Sequence, residues 1–214
     1  LVQQVKERGV YSFCMCPGGF IVPAATAQGE VVVNGMSPSK RNNLYANSGV
    51  VVEINVHQDI PKYDHFGALK GLEYQKNLEK LAFTAGGRTQ TAPAQRLTDF
   101  VEGTLSNTLN DCSYQPGLKS APLHSLLPKI IGGRLRTGLK EFGKKMNGYY
   151  TEEANVIGVE SRTSSPVSIP RKENLEHTQI EGLYPCGEGG GYAGGIVSAA
   201  MDGERCAEAA IKGD

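Results

Sequence analysis

The chain has 214 residues, with 22 basic and 22 acidic side chains, so its formal net charge is zero. That balance leaves no basic excess to neutralise a phosphate backbone, which argues against a nucleic-acid partner. No stretch approaches the roughly 20 apolar residues needed to cross a bilayer, and the opening run LVQQVKERGVYSFCMC lacks the pattern of a secretory signal.

A hydrophobic share of 39% permits a packed core. The five cysteines, Cys14, Cys16, Cys112, Cys186 and Cys206, are odd in number and scattered, which does not suggest a disulfide framework. The expectation is a reduced, cytoplasmic protein without a membrane partner. In chain order, residues 10–15 are predicted as a short strand. Cys14 and Cys16 would lie on one face of it and pack as small hydrophobes. That geometry is poor for bridging, and no second pair or nearby histidine completes a zinc site. Pro17-Gly18-Gly19 signals a turn, followed by predicted strands over 20–25, 30–34 and 50–56. Short strands joined by Gly-rich turns favour antiparallel pairing. Between the last two strands lies a polar loop containing Asn42 and Asn47.

From residue 68 the pattern changes. Leu69, Leu72, Leu78, Leu81 and Phe83 approximate helical spacing, and Gly86-Gly87 ends the run. Residues 94–102 suggest a short helix and 103–122 a long exposed connection. Residues 123–146 read as one or two helices interrupted by Pro128 and Gly132-Gly133. Their basic residues Arg134, Arg136, Lys140, Lys144 and Lys145 are expected to be a solvated face. Strand character returns at 155–160 and 167–169, with Arg162-Thr163-Ser164-Ser165 between them. The fold class expected is α+β: an antiparallel-sheet domain with a helical insertion over about 66–150.

The informative segment is IEGLYPCGEGGGYAGGIVSAAMDGERCAEAAI. It reads as a short strand over 182–186, an acid, a glycine loop and an alanine-rich helix over 196–211. Gly189 to Gly194 satisfy G-x-G-x-x-G, but the ADP-binding fingerprint needs a following strand and an acid about 20 residues downstream. Here the acid, Glu188, precedes the glycines. Five glycines in seven residues lose backbone entropy and give nothing to pack. Their use would be close approach of bare backbone to a flat or polar group. The helix start beyond them offers unpaired N–H groups and a positive dipole end. The alternative is a flexible loop capping a structural helix, with the small residues serving only close packing.

This segment resembles the closing motif of a family of bacterial FAD-dependent dehydrogenases, the uncharacterised NAD-utilising group. FCMCPGGFIVPAAT, VVVNGMSPSKRNNLYANSG, APAQRLTDF and ESRTSSPV resemble the same family in the same order. The resemblance implies a C-terminal portion lacking the N-terminal dinucleotide-binding β-α-β unit. Residues 1–178 would form a substrate domain, and 179–214 would be the terminal strand and helix of a Rossmann-like FAD domain. It places Gly187, Glu188, Gly189, Gly190, Gly191, Tyr192, Ala193, Gly194, Gly195 and Ile196 at the cofactor. Cys16, Gly18, Gly19, Asn42, Asn47, Arg162, Ser164 and Ser165 become candidates for the flavin or substrate cleft. Arg162 would hold an anionic substrate, or else pair with Glu160 or a neighbouring carboxylate.

FAD is thus implied for the full-length protein, with weak or absent binding by these 214 residues alone. A small-molecule substrate and the missing FAD-domain half are the implied partners, and NAD(P)H is an open choice of electron donor. The catalytic acid or base is not legible. The competing function is a flavoprotein with a structural cofactor and a helical insert that binds a partner macromolecule or RNA.

Overall fold

The computed structural model describes residues 1–212. It is an α+β chain of small sheets and several helices, as the sequence implied. It divides into two compact units, residues 1–59 with 76–161 and residues 60–75 with 162–214.

The first unit opens on β1 (Val2–Val5), β2 (Arg8–Cys16) and β5 (Asn47–Val52), an antiparallel sheet in the order β1-β2-β5. A two-stranded antiparallel pair, β3 (Phe20–Pro23) with β4 (Val33–Met36), follows. Val31 and Val32 are buried ahead of β4 rather than in a ladder. Instead, Ala24 N–H bonds Val32 O, and Val31 N–H bonds Glu79 O. β6 (Ala92–Arg96) pairs parallel with β7 (Leu118–Ser120) and antiparallel with β8 (Asn155–Ile157). The expected helix over 94–102 is therefore half strand, half helix, with α2 (Leu97–Glu102) following β6 directly.

Helix α1 (Lys70–Ala85) runs up to Gly86-Gly87 as predicted, and the boundary between units falls inside it. Gly87 takes a left-handed φ of +96°, which suits glycine and stops the helix. Beyond α2, the stretch expected as an exposed connection instead buries Ser106, Ser113 and Tyr114 and carries β7. Pro128 separates α3 (Leu123–Leu126) from α4 (Lys129–Lys145). α4 buries Leu135, Leu139 and Phe142 beside Val10, Leu97, Phe100, Val101 and Leu123, the larger apolar core. Its Gly138 permits close packing, because a Cβ there would sit 2.6 Å from Val10 Cγ1.

The basic face of α4 departs from the expectation. Arg134 is buried and pairs with Glu7 at 3.0 Å, and Arg136 donates to Val101 O at 2.7 Å. Long basic stems can cover apolar surface while their heads find carboxylates or carbonyls. Lys144 remains exposed.

The second unit contains a 3-10 stretch, Pro61–Leu69, with Tyr63 edge-on to Tyr74 at 5.3 Å between centroids. Its C-terminal part holds turns over 162–195 and α5 (Ile196–Lys212), which begins where the sequence placed it. The short segments 167–169 and 182–186 are turns and irregular chain, not strands. An extended segment becomes a strand only by pairing, and no described segment forms a ladder with either.

Candidate functional site: a stapled glycine loop at a helix start

In the second unit the segment from Cys186 to Gly195 folds back on itself ahead of α5. Gly191 N–H bonds Glu188 O at 2.9 Å, and Tyr192 N–H bonds Gly187 O at 3.0 Å. Gly187 and Gly191 adopt φ of +68° and +84°, so these two turns need glycine for their backbone. Gly190 is needed for packing, since a Cβ would lie 3.0 Å from Cys186 O.

A charged staple fixes the loop to the helix. Asp202, buried on α5, accepts Arg171 Nη2–H at 2.8 Å and Nη1–H at 3.0 Å, and accepts the Gly187 N–H at 2.9 Å. Arg171 also donates to Pro185 O at 2.9 Å and to Cys206 Sγ at 3.3 Å. Its guanidinium lies 3.6 Å from the Tyr192 ring centroid, a cation–π contact. The Tyr192 hydroxyl donates to Ile169 O at 2.7 Å. The Arg171 hydrogen bond, followed by the Gly187 N–H, holds the Asp202 carboxyl below the usual carboxylate range. The same hydrogen bond to Asp202 raises the Arg171 guanidinium. The sequence drew attention to neither Arg171 nor Asp202, and to Cys206 only as one of five scattered cysteines. One signal was present: Asp202 lies on the helical face of Ala199 and Cys206, where a solvated acid is out of place.

Of the predicted site residues, the structure brings several together here. Ser165 Oγ–H donates to Val167 O at 2.7 Å and lies 3.4 Å from Gly189 O. Ser164 Oγ is the nearest atom to a Cβ built on Gly194, at 3.8 Å. Ser168, which sequence reasoning passed over, donates to Gly190 O at 3.4 Å, and Ile169 N–H bonds the same oxygen at 3.1 Å. Thr163 Oγ1 is buried without a hydrogen-bond partner. Arg162 is half-buried and engaged by a neighbour. The Glu188 side chain is exposed on the loop, while Gly194, Gly195 and Ile196 are exposed at the start of α5.

Cys16, Gly18, Gly19, Asn42 and Asn47 belong to the first unit. Cys16, Gly18, Gly19 and Asn47 gather at the end of β2. A Cβ on Gly19 would lie 2.6 Å from Cys16 Cβ and 2.8 Å from Asn47 Nδ2, and Gly18, at φ +60°, packs against Arg41 O. Asn47 Nδ2–H donates to Phe20 O at 3.3 Å, whereas its Oδ1 is buried without a partner. Asn42 is exposed, and its neighbour Asn43 ties the loop down by donating to Gly19 O at 2.8 Å. Cys14 and Cys16 do not share an environment as a regular strand would require. A bulge between Phe13 and Cys16 leaves Cys14 exposed and Cys16 buried.

Among the described residues, no group of three or more His, Cys, Asp or Glu is arranged to hold a metal ion, and no helix is long and apolar enough to cross a membrane.

Comparison with known families bears on what kind of chain this is. A family model described as FAD-dependent protein, C-terminal domain-like, matches residues 1–163, and the chain belongs to that family. An uncharacterized protein of Clostridium beijerinckii is 43% identical over 208 residues, covering 96% of this chain. The aligned region is 38% of that relative, so the chain spans well under half of the relative's length. The family match ends at residue 163, ahead of the glycine loop.

Proposed function

We propose that the full-length protein is an FAD-dependent oxidoreductase and that residues 187–196 supply one wall of its flavin site. The observation that carries this reading is a set of glycines with no internal reason to be glycine. A Cβ built on Gly189 would meet nothing within 4 Å. On Gly194 and Gly195 it would meet only serine hydroxyls, at 3.8 and 3.7 Å. None of the three has a positive φ. Neither packing nor backbone strain therefore excludes a side chain, while each glycine loses more entropy on folding than alanine would. A flat external group lying on bare main chain accounts for all three.

The remaining features fit FAD. The N-terminal end of the 17-residue α5 presents its first N–H groups beside Gly194 and Gly195, favouring negative charge there. Glu188, exposed beside the loop, would accept hydrogen bonds from ribityl or ribose hydroxyls. Ser164, whose hydroxyl is the nearest atom to a Cβ built on Gly194, stands by the same loop as a further donor. When bound, the flavin supplies the redox chemistry, and these residues hold its ring and bias its charge. α5 also leaves Ile196, Val197, Met201 and Ile211 exposed, at 91%, 72%, 59% and 77%. So large an apolar face suits burial against the rest of an FAD domain, which the length of the relative accommodates. By this reading residues 179–214 are a piece of the FAD domain and residues 1–178 form the substrate domain.

The test is purification of the full-length protein and measurement of its flavin absorbance and extractable FAD. Stoichiometric FAD, weakened in Glu188→Ala, is expected. A colourless full-length protein that takes up no FAD on titration would remove the reading. Reduction of the bound flavin by NADH or NADPH then decides whether a nicotinamide is the electron donor.

A further inference from the structure

The segment APAQRLTDF contributes to a cavity that the flavin reading does not use. The cavity lies wholly in the first unit, around the junction of β6 and α2, and its volume is about 430 Å³. Small-molecule sites run from roughly 300 to 1,000 Å³. Part of its lining comes from the connection after α2, which has no regular structure yet is tied down at alternate residues. Gln95, fully buried, donates from Nε2 to Thr104 O. Ser120 Oγ–H donates to Ser106 O at 2.5 Å. The Arg96 side chain holds Thr108, and Asn155 Nδ2–H donates to Asn110 O at 2.7 Å. Leu105 and Asn107, between these tied residues, are left exposed. A connected polar network of this kind rigidifies the chain it holds, so the cavity is formed before a ligand arrives.

Opposite charges line this cavity and are kept apart. Arg96, Asp99 and Glu152 all face it, and among the described residues none of the three forms an ion pair with another. Neutral groups tether them instead. Arg96 Nε–H donates to Thr108 O at 3.0 Å and Nη2–H to Thr108 Oγ1 at 2.8 Å. Those two bonds fix the guanidinium plane and leave both Nη1 hydrogens unused. Ser106, 2% exposed, accepts the Arg96 backbone N–H at 2.8 Å and donates to Asp99 Oδ2 at 2.6 Å. Asp99 Oδ1 is left without a protein partner. An arginine fork is shaped for a carboxylate, and here it is held in place without one. Leu105 is the sole apolar lining residue, and no aromatic ring faces the cavity.

We propose that this cavity binds a free α-amino acid, its carboxylate on Arg96 and its ammonium on Asp99 and Glu152. The charges decide between ligand classes. A simple anion would meet two carboxylates for one guanidinium, and a simple cation would meet the guanidinium. A neutral polyol would cover all three charges without compensating any of them, and it would find no ring to stack on. A zwitterion compensates both signs at once. It does so without pulling Arg96 from Thr108 or Asp99 from Ser106, so little ordering is lost on binding. With Leu105 as the one apolar wall, preference among ligand side chains should be weak.

The site involves no flavin, so this proposal and the flavin reading can fail separately. The full-length protein is titrated calorimetrically with each standard amino acid, then with the N-acetyl and carboxamide forms of those that bind. Saturable binding of at least one is expected. Either blocking group should weaken it at least about tenfold, because each removes a charge-assisted contact. Arg96→Gln should bind the amino acid and its carboxamide equally. Asp99→Asn, which keeps an oxygen for Ser106, combined with Glu152→Gln should instead lose the discrimination against the N-acetyl form. A merely loosened loop would not produce that crossed pattern. No saturable binding of any amino acid up to about 10 mM would overturn the proposal. Equal affinity of the wild type for free and blocked forms would overturn it as well, and neither readout needs a variant to fold. Unchanged discrimination in Arg96→Gln would overturn the placement of the ligand in this cavity.

Discussion

Replacing Asp202 with alanine should free the glycine loop from α5, and the size of the effect follows from its partners. Asp202 and Arg171 are both nearly buried, with side chains 8% and 10% exposed, and Asp202 also holds the Gly187 N–H. Removing one partner of a buried ion pair costs about 3–5 kcal/mol. We take the lower end, about 3 kcal/mol, because Arg171 keeps Pro185 O, Cys206 Sγ and the Tyr192 ring as neighbours. Orphaning the Gly187 amide adds about 1 kcal/mol. In an opening equilibrium these correspond to roughly two to three orders of magnitude. The assay is amide hydrogen exchange on Gly187, Gly191 and Tyr192 in the full-length protein, comparing wild type with Asp202→Ala.

The same pair sets a pH dependence. The folded-state Asp202 carboxyl is depressed, by Arg171 first and Gly187 second. Its contribution is therefore fully present above the unfolded value of about 4 and is lost as pH falls through the folded one. Protection of the loop should decline only below about pH 4 in the wild type. Over the same range, Asp202→Asn should show no such decline from this site. Loop amides in Asp202→Ala as protected as in wild type at neutral pH would refute the staple.

Three further outcomes concern the fold. Gly138→Ala should destabilise the first unit by about 1–3 kcal/mol in urea unfolding, because its Cβ would strike Val10 at 2.6 Å. Gly133→Ala, on the same helix but with nothing within 4 Å of the added Cβ, should instead stabilise by about 1 kcal/mol through helix propensity. Phe142→Ala should cost about 3–5 kcal/mol, since Phe142 is fully buried in the core beside Val10 and Leu139; a loss under about 1 kcal/mol in the same titration would contradict that core.

The sequence was most legible where structure is local. The periodic run ending at Gly86-Gly87, the interruption at Pro128, and the helix after Gly194-Gly195 need only neighbours along the chain. It was least legible where pairing spans distance. The parallel match of Ala92 with Leu118 and the antiparallel match of Ala94 with Ile157 bury a stretch whose Ser, Asn and Pro content looked solvent-facing. Arg134 was misread for the same reason, because its partner Glu7 lies 127 positions away. The bulge at Cys14 has no local signal, since a positive φ in cysteine is imposed by the ladder around it. At the glycine loop, composition pointed to the right place but could not sort the glycines. The structure separates Gly187, Gly190 and Gly191, which the loop itself needs, from Gly189, Gly194 and Gly195, which it does not.

If flavin rests on Gly194 and Gly195, one titration shows it. FAD affinity is measured on the full-length apoprotein for wild type, for Gly194→Ala with Gly195→Ala, and for Gly203→Ala, whose Cβ also meets nothing within 4 Å on α5. The double variant should fold normally yet bind FAD at least about tenfold more weakly, a loss of about 1.4 kcal/mol, with Gly203→Ala unchanged. Equal affinity in all three would mean that no flavin rests on that bare backbone.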